Sequence, residues 1–269
     1  MLNFIFKLNK KFYFLIGNYV IDIFDKTLSI QIKNKKIYIY IPNQLNFFRA
    51  KTFFSKEPET IKWIEDFGKN SVFFDIGANI GLYSIYHSYI NNAETFAFEP
   101  SFVNLKLLLK NISINDLNSK ISVISNPLSN KNLIQDFNYT SLIEGGAIST
   151  FGENYSYDGN FIKFSNSIKK LGFTIDYLVE NKILPQPNII KIDVDGIEHL
   201  ILDGAKKVIS NSKCKSILVE INDSFYEQKN RCESILKEAK FKILQKEQSI
   251  FTKKNKGFEK TYNQIWVKI

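Results

Sequence analysis

The chain has 269 residues, of which 44% are hydrophobic, and a formal net charge of +9. This composition excludes a disordered chain, and the length predicts one large domain with a sizeable core. The lysines lie in short scattered groups, without the arginine-rich, aromatic-interleaved tract that follows a nucleic-acid backbone, so we predict no nucleic-acid partner. They fit a solvated basic surface or a preference for a phosphorylated or lipid-linked acidic substrate. Two cysteines without CxxC spacing indicate a reducing compartment, and we expect a cytoplasmic protein.

The first 24 residues are apolar but are interrupted by Lys7, Lys10, Lys11, Asn18 and Asp22. No uninterrupted run is long enough for a transmembrane helix and no small-residue cleavage site follows, so we predict neither a transmembrane segment nor a signal peptide. An amphipathic docking or dimerisation segment is expected instead, which leaves a homodimer as one option.

From residue 57 onward the sequence alternates between helical patterns and short strands rich in Ile, Val and Phe. Strands that are apolar on both faces and separated by helices predict a parallel sheet with helices on both sides. The predicted strands are 72–76, 95–99, 121–125, 188–194, 216–222, 241–247 and 261–269. No helix separates the last two, so one of them is expected to be antiparallel. The predicted fold class is therefore α/β, with a doubly wound, seven-stranded, mostly parallel sheet.

Two regions stand outside this alternation. Residues 1–55 are interpreted as an N-terminal extension of a domain that spans 56–269, and two alternating runs around KNKK predict a hairpin at 28–42. Residues 130–173 are rich in Gly, Asn, Ser and Tyr and are longer than an ordinary connection. Long loops inside compact domains usually cover or bind a substrate, so we predict a substrate-loop insertion there.

The stretch FFDIGANIGLYS, residues 73–84, indicates a buried strand that ends in a glycine-bracketed turn and continues as a helix. Gly77 and Gly81 permit positive φ and let a ligand approach without a Cβ in the way. Glu99 closes the next strand, where a carboxylate can accept hydrogen bonds from two ribose hydroxyls. A dinucleotide site would need G-x-G-x-x-G, whereas this turn reads G-A-N-I-G beside Asp75, which would repel phosphate. The pattern predicts an adenosine-type ligand with a cationic head, such as the amino group of S-adenosylmethionine.

Four segments carry a resemblance to a known family: FFDIGANIGLYSIY, AFEPSFVNLKLLLKNISIN, IIKIDVDGIEHLILDGA and ILVEIN. In this order, from about Glu57 to Glu220, they resemble the FkbM family of S-adenosylmethionine-dependent O-methyltransferases. The resemblance implies a class I methyltransferase fold, Rossmann-like with an antiparallel final strand. It implies S-adenosyl-L-methionine as cofactor and sugar hydroxyls as acceptors. The cofactor-binding residues that it implies are Asp75, Gly77, Ala78, Asn79, Gly81, Glu99 and Pro100.

A second acidic cluster follows the fourth strand, where KIDVDGIEH contains Asp193, Asp195, Glu198 and His199. One interpretation makes His199 or Asp195 the general base for a substrate hydroxyl, with both residues on one face of a helix that starts at residue 196. The other makes Asp193, Asp195 and Glu220 ligands of Mg²⁺ or another divalent cation, which would lower the pKa of the hydroxyl. Glu220 is expected at the carboxyl end of a central strand. The family usually has Glu at the position of Asp195. Asp195 itself is also suited to cap the following helix.

The predicted function is an O-methyltransferase that acts on a sugar hydroxyl of a glycan, nucleotide-linked sugar or glycosylated metabolite, as in carbohydrate modification and polysaccharide biosynthesis. In-line transfer is expected, with a base or a metal ion activating the hydroxyl of a sugar-containing, phosphorylated or nucleotide-linked acceptor. One rival is an NAD-dependent oxidoreductase, which the missing third glycine disfavours. Another is a nucleic-acid methyltransferase, which often has an Asn-Pro-Pro-Tyr-like motif where this chain has DVDGIE. A third is a non-catalytic binding module on the same fold.

Overall fold

The structure, a computed structural model, describes residues 26–66, 70–249, 253 and 257–269. In chain order its elements are β1 (Thr27–Ile32), β2 (Lys35–Tyr40), α1 (Gln44–Lys51), α2 (Phe53–Lys56), α3 (Pro58–Asp66), β3 (Phe73–Ile76), α4 (Leu82–Asn91), β4 (Thr95–Phe98), α5 (Phe102–Ser113), β5 (Ile121–Ile124), β6 (Leu133–Tyr139), β7 (Ser149–Phe151), β8 (Asn166–Gly172), α6 (Ile175–Glu180), β9 (Ile189–Ile192), α7 (Glu198–Asp203), α8 (Lys206–Ser210), β10 (Ser216–Asn222), α9 (Tyr226–Glu238), β11 (Phe241–Glu247) and β12 (Thr261–Lys268). The amphipathic segment predicted for the first 24 residues lies outside the described residues. Within the described ranges, none of the helices is both long and apolar enough to cross a bilayer.

Seven strands form one sheet in the order β11-β12-β10-β9-β3-β4-β5. Strands β10, β9, β3, β4 and β5 pair in parallel, whereas β12 is antiparallel to both of its neighbours. The predicted doubly wound, mostly parallel seven-stranded sheet is thus confirmed. After β3 the chain adds β4 and β5 on one side and β9 on the other, so the strand order reverses at β3. In α/β sheets ligands bind beyond the carboxyl ends of the strands at such a switch point.

Alternating side chains of each central strand fill two separate cores. Phe73 packs with the β1–β2 hairpin and helices α3 to α5 on one face of the sheet. Phe74 packs on the other face, with α6 to α9 and with residues of the 130–173 region. Because successive strand residues point to opposite faces, the apolar run in β3 serves both cores at once.

The N-terminal region contains the predicted hairpin, in which β1 and β2 pair antiparallel from Thr27 opposite Tyr40 to Ile32 opposite Lys35. Ile37 and Ile39 are fully buried in the same core as Phe73. Helix α1, which the sequence did not reveal, follows the hairpin and begins with the Asn43 side chain accepting from the Asn46 N–H. The domain boundary at residues 55 and 56 stays a prediction.

Residues 130–173 contain a second, antiparallel sheet in the order β7-β6-β8. The prediction of a long loop was therefore wrong in one respect, because much of this region forms regular β-structure. Strand β8 is exposed along most of its length, so its sequence NSIKKLG lacks the apolar alternation that marks a strand. Its partner β6 supplies Phe137 and Tyr139 to the core. The turn between β6 and β7 reaches back over the carboxyl edge of the large sheet.

Candidate functional site

Two adjoining cavities open beside the switch point between β3 and β9. The inner cavity, of about 80 Å³, lies at the end of β4 and is lined by Glu99, Pro100 and Asn104 among others. The outer cavity, of about 330 Å³, extends towards α1, α2 and α4. Both walls include Gly77, Asn79, Ala147, Asp193 and Asp195. The cavities are therefore two parts of one cleft.

The glycine turn brings β3 and β9 into close contact. Gly77 has a φ of +84°, and a Cβ added to it would lie 1.9 Å from the backbone oxygen of Asp193. Only glycine fits this approach, and the bare backbone of residue 77 forms part of both cavity walls. Gly81 has a different role, because its added Cβ would meet Leu108 Cδ1 at 2.4 Å. It permits α4 to pack on α5 and does not line either cavity.

Glu99 and Asn79 are joined at the inner cavity. One Glu99 carboxylate oxygen accepts from the Asn79 N–H at 2.7 Å, and the other accepts from the Ser101 N–H at 2.8 Å. Burial raises the pKa of Glu99 to about 7, although these bonds and the nearby Asn104 side chain act in the opposite direction. The Asn79 Oδ1 atom is buried and has no hydrogen-bond partner within the described structure. A polar atom of this kind is suited to receive a ligand donor.

Asp75 lies beneath the glycine turn. It is fully buried and accepts from the Ser84 hydroxyl at 2.5 Å, which ties β3 to the first turn of α4. Burial raises its pKa, although the Lys191 ammonium acts in the opposite direction. Its side chain points to the same face of the sheet as Phe73, and it lines neither cavity. The structure therefore places Asp75 under the site and not on its surface.

A chain of ion pairs forms one wall of the outer cavity. Lys191 is almost fully buried, and its ammonium lies 2.7 Å from the Asp193 carboxylate. Burial alone would lower the pKa of Lys191, but Asp193 and Asp75 hold it above its ordinary value. Lys56 and Glu57 form a similar pair at 2.7 Å, and the Tyr83 hydroxyl donates to Glu57 at 2.6 Å. The cationic side chains Lys191 and Lys56 are thus already matched to carboxylates.

Asp195 and Glu220 are carboxylates of the outer cavity with no ion-pair partner among the described residues. Burial, reinforced by the Asp193 charge, raises the pKa of Asp195 to about 6. Burial and the carboxylates of Asp193 and Asp195 raise the pKa of Glu220 well above its ordinary value. Glu220 lies inside β10, two residues before the strand ends at Asn222. Both groups retain acceptor capacity that can receive the proton of a ligand hydroxyl.

The loop that carries Asp195 is held by Glu198. The Glu198 carboxylate accepts from the Val194 N–H at 3.0 Å and the Gly196 N–H at 3.1 Å, and also from the Gln228 amide. Gln228 in turn accepts from the Asn222 N–H at 3.0 Å, which connects this loop to the end of β10. Glu198 is therefore a buried structural acceptor and does not reach the cleft.

His199 was expected on the same helix face as Asp195, and this prediction was wrong. The helix begins at Glu198 and not at residue 196, because Asp195 and Gly196 adopt positive φ of 61° and 134°. His199 is buried against Phe225, with ring centroids 5.9 Å apart, and lines neither cavity. Burial lowers its pKa to about 4. Its position does not support a role as the base.

A short turn between β6 and β7 covers the cleft, and we call residues 144–148 the roof. The Ile148 N–H donates to Asp195 Oδ2 at 2.7 Å, and the Asn79 side chain donates to the Gly146 oxygen at 2.9 Å. Ala147 lines both cavities and Ile148 lines the outer one. The predicted substrate region thus reaches the cleft through the roof and through Phe137, Ser149 and Phe151, which line the inner cavity. The sequence of residues 130–173 did not indicate which of them would line the cleft.

The predicted metal ligands do not fit a divalent cation in this arrangement. In the part of the chain that the structure describes, no three His, Cys, Asp or Glu side chains are grouped as metal ligands. Asp193 is neutralised by the Lys191 ammonium, and Asp195 Oδ2 accepts a backbone N–H. Glu220 would remain as the third ligand, which is too few for Mg²⁺ without substrate oxygens.

The residues predicted for the site divide into two groups. The cleft is lined by Gly77, Ala78, Asn79, Glu99, Pro100, Asp193, Asp195 and Glu220. Asp75, Gly81 and His199 lie behind it. The sequence prediction missed Lys191, Tyr83 and Arg49, which line the outer cavity, and Asn104, which lines the inner one. Of these four residues, only Lys191 could have been recognised from the sequence, because a lysine inside an apolar strand needs a buried partner.

Comparison of the sequence with models of protein families identifies the family of this chain. The model of the methyltransferase FkbM domain matches residues 75–246, well over half of the chain. The protein is a methyltransferase, and the chain belongs to the FkbM methyltransferase family. Family membership implies S-adenosylmethionine as methyl donor. It argues against the alternative prediction of an NAD-dependent oxidoreductase. No curated protein matches this chain.

Similar solved structures share little sequence with this chain. The methyltransferase FkbM from Methylobacillus flagellatus KT is 16% identical with a TM-score of 0.47, over 74% of this chain and 43% of that one. A precorrin-6y C5,15-methyltransferase from Geobacter metallireducens GS-15 is 12% identical with a TM-score of 0.45, over 79% and 88%. A tRNA m1G37 methyltransferase from M. jannaschii is 13% identical with a TM-score of 0.48, over 90% and 57%. This chain thus matches less than half the length of the M. flagellatus protein.

The cleft fits S-adenosylmethionine. Gly77 leaves room for the ligand where a Cβ could not exist, and the buried Asn79 Oδ1 can accept from the cofactor amino group. Glu99 has used one lone pair on each oxygen for a backbone N–H and keeps others for ribose hydroxyls. Pro100 and Asn104 extend the wall around the inner cavity, where the adenosine part would lie.

Removing the charge of Glu99 should weaken cofactor binding. We expect Glu99→Gln to raise the Kd for S-adenosylhomocysteine by about 10- to 100-fold, because hydrogen bonds to a charged group contribute roughly 1.5–3 kcal/mol. In the wild type the ionised carboxylate is the stronger acceptor, so affinity should fall as the pH drops through about 7, the pKa of Glu99. Calorimetric titration from pH 6 to 8.5 measures both effects. Glu233→Gln, on the surface of α9, is the control. Equal affinity and pH dependence in Glu99→Gln and wild type would contradict the assignment.

Proposed function

We propose that the protein transfers the methyl group of S-adenosylmethionine to a sugar hydroxyl of a glycan, nucleotide-linked sugar or glycosylated metabolite. The observation that carries this proposal is the pair Asp195 and Glu220 in the outer cavity. Neither carboxylate forms an ion pair among the described residues, so both can accept hydrogen bonds from vicinal hydroxyls. Such hydroxyl pairs are characteristic of sugars.

The other walls of the outer cavity support the same acceptor. Phe48, Tyr83 and Phe258 contribute aromatic rings, which can pack against the C–H faces of a sugar ring. Lys56 and Lys191 are already paired with carboxylates and Arg49 donates to the Gly145 oxygen, so an anionic group in this part of the cavity would lie next to the Asp195 charge. We therefore expect the ring that is methylated to be neutral. A phosphate or nucleotide carried by the acceptor would lie outside this part of the cavity.

Asp195 is our candidate for the general base. When bound, S-adenosylmethionine supplies an electrophilic methyl group that leaves as the acceptor oxygen attacks in line. Asp195 would take the hydroxyl proton, since its pKa of about 6 leaves it ionised near neutral pH. Its Oδ2 is fixed by the Ile148 N–H, which leaves Oδ1 for the acceptor. Holding the reacting atoms in line would supply most of the acceleration.

Asp193 and Glu220 would have supporting roles. Burial alone would raise the pKa of Asp193, but Lys191, Lys56 and Arg49 hold it below its ordinary value, so it is a poor proton acceptor. Its backbone oxygen contacts Gly77 and its carboxylate orients Lys191, which places it as a positioning residue. Glu220, with a strongly raised pKa, is suited to hold a second acceptor hydroxyl.

Transfer from methyl-labelled S-adenosylmethionine to a panel of nucleotide sugars, free glycans and glycosylated metabolites tests the proposal. We expect label in a sugar product whose NMR spectrum shows a new O-methyl resonance, with and without added Mg²⁺. Neutral sugar rings should be preferred over rings that carry phosphate. Transfer only to an RNA transcript or to a nitrogen atom would overturn the proposal, and so would S-adenosylhomocysteine binding without transfer to any sugar.

Location and assembly stay predictions. Both cysteines are buried free thiols, as expected for a cytoplasmic protein in a reducing compartment. We propose that the protein acts there, on soluble or glycan-bound acceptors. The homodimer is predicted from the sequence of the N-terminal segment alone.

A further inference from the structure

The roof is anchored by side chains from several separate elements. The Glu144 oxygen accepts from Asn43 and Asn46, the Gly145 oxygen accepts from Arg49, and the Gly146 oxygen accepts from Asn79 and Asn104. The Gly145 N–H donates to Asn104, and the Ile148 N–H donates to Asp195. These anchors lie on the β3–α4 turn, on α5, beside or within α1, and on the Asp195 loop. Side chains thus replace the ladder partners that this short segment lacks.

The roof also contains backbone strain. Ile148 has a φ of +60°, which is rare for a β-branched residue, and its hydrogen-bond partner Asp195 has a φ of +61°. Strained residues persist where surrounding contacts hold them, and they cluster at ligand clamps and active sites. Here the strain lies at the point where the roof touches the proposed base.

Asn104 connects the roof to the inner cavity. Its side chain is buried, with Oδ1 accepting from the Gly145 N–H at 2.8 Å and Nδ2 donating to the Gly146 oxygen at 3.2 Å. The same side chain lies beside Glu99 in the wall of the inner cavity, where it favours the charged form of that carboxylate. Asn79 makes a parallel connection, because its N–H binds Glu99 and its Nδ2 binds the Gly146 oxygen. Asn79 therefore binds both the roof and the carboxylate assigned to the ribose, and Asn104 joins the roof to the same cavity wall.

We propose that the roof is part of the cofactor site and that Asn104 is a positioning residue, which couples closure of the roof to occupation of the Glu99 carboxylate. The proposal rests on S-adenosylmethionine as methyl donor and is independent of the acceptor. The roof lines the inner cavity with Gly146 and Ala147, and the outer cavity extends towards α1. The cofactor enters before the roof closes over it.

Hydrogen exchange with and without S-adenosylhomocysteine tests the coupling. In wild type we expect the ligand to slow exchange of the 143–149 segment about tenfold or more, because closing the roof suppresses local opening. Asn104→Ala leaves the Gly145 N–H without its acceptor and removes one of the two donors to the Gly146 oxygen, so this protection should disappear. The Kd for S-adenosylhomocysteine should rise about tenfold, mostly through faster dissociation. Stopped-flow displacement measures the dissociation rate.

Two further variants keep the result decisive. Gly145→Ala disturbs the roof from the α1 side, since the added Cβ would lie 2.2 Å from Asn46 Oδ1, and it should also speed dissociation. Asn115→Ala removes an asparagine with three backbone hydrogen bonds outside the cleft, and it should leave dissociation unchanged. Wild-type dissociation and protection in both roof variants would overturn the coupling and leave the cofactor and the sugar acceptor untouched. Failure of wild type to bind S-adenosylhomocysteine would overturn the coupling and the cofactor together.

Discussion

Gly77→Ala should abolish measurable binding of S-adenosylhomocysteine and lower the free energy of unfolding by about 2–4 kcal/mol. Alanine at a φ of +84° is strained, and its Cβ would overlap the Asp193 backbone oxygen at 1.9 Å. Relief requires β3 and β9 to separate at the switch point, which would displace the loop that carries Asp193 and Asp195. Denaturant unfolding and calorimetric titration measure the two effects.

Gly152→Ala is the matched control for this substitution. Gly152 has a similar φ of +77°, but its added Cβ would meet only Gln135 carbon atoms at 3.5 Å or more. It should lose about 1 kcal/mol from backbone strain and bind S-adenosylhomocysteine normally. If Gly77→Ala matched Gly152→Ala in both measurements, the close approach of the turn to β9 would not matter for the site.

The sheet could be predicted from the sequence because its central strands are apolar on both faces. Strands such as NIIKIDVD have a local signature that does not depend on their partners, and the observed β9 lies within the predicted range. The small sheet lacked such a signature, since β8 exposes most of its residues. Its pairing with β6 is a long-range contact that no local pattern encodes.

The errors in the site share a physical cause, which is that side-chain direction depends on local φ and ψ. The spacing of Asp195 and His199 suggests a shared helix face only if the helix includes both residues. Positive φ at Asp195 and Gly196 delays the helix and turns His199 into the core. Asp75 shows the same dependence in a strand. Its position in β3 directs the carboxylate towards Ser84 below the sheet edge, although its place before the glycine turn suggested the ligand.

Asp195→Asn should lower kcat by about 10²- to 10⁴-fold on the sugar acceptor, the usual range for loss of a general base. The amide keeps an oxygen for the Ile148 N–H but cannot take up the hydroxyl proton. Binding of S-adenosylhomocysteine and KM for the acceptor should change little, because the amide still forms hydrogen bonds. Steady-state kinetics with the acceptor identified by the methyl-transfer screen measures the separation of kcat from KM.

The pH profile distinguishes this role from a structural one. A base must be ionised to act, so wild-type kcat should fall as the pH drops through about 6, the pKa of Asp195, and level off above it. The residual activity of Asp195→Asn should lack this acid limb. Asp203→Asn, which alters an ion-paired carboxylate on α7 outside the cleft, should keep both the rate and the limb. If Asp195→Asn kept the acid limb while Glu220→Gln lost it, the proton would pass to Glu220. The in-line geometry would then place the acceptor hydroxyl nearer to β10 than to the Asp195 loop.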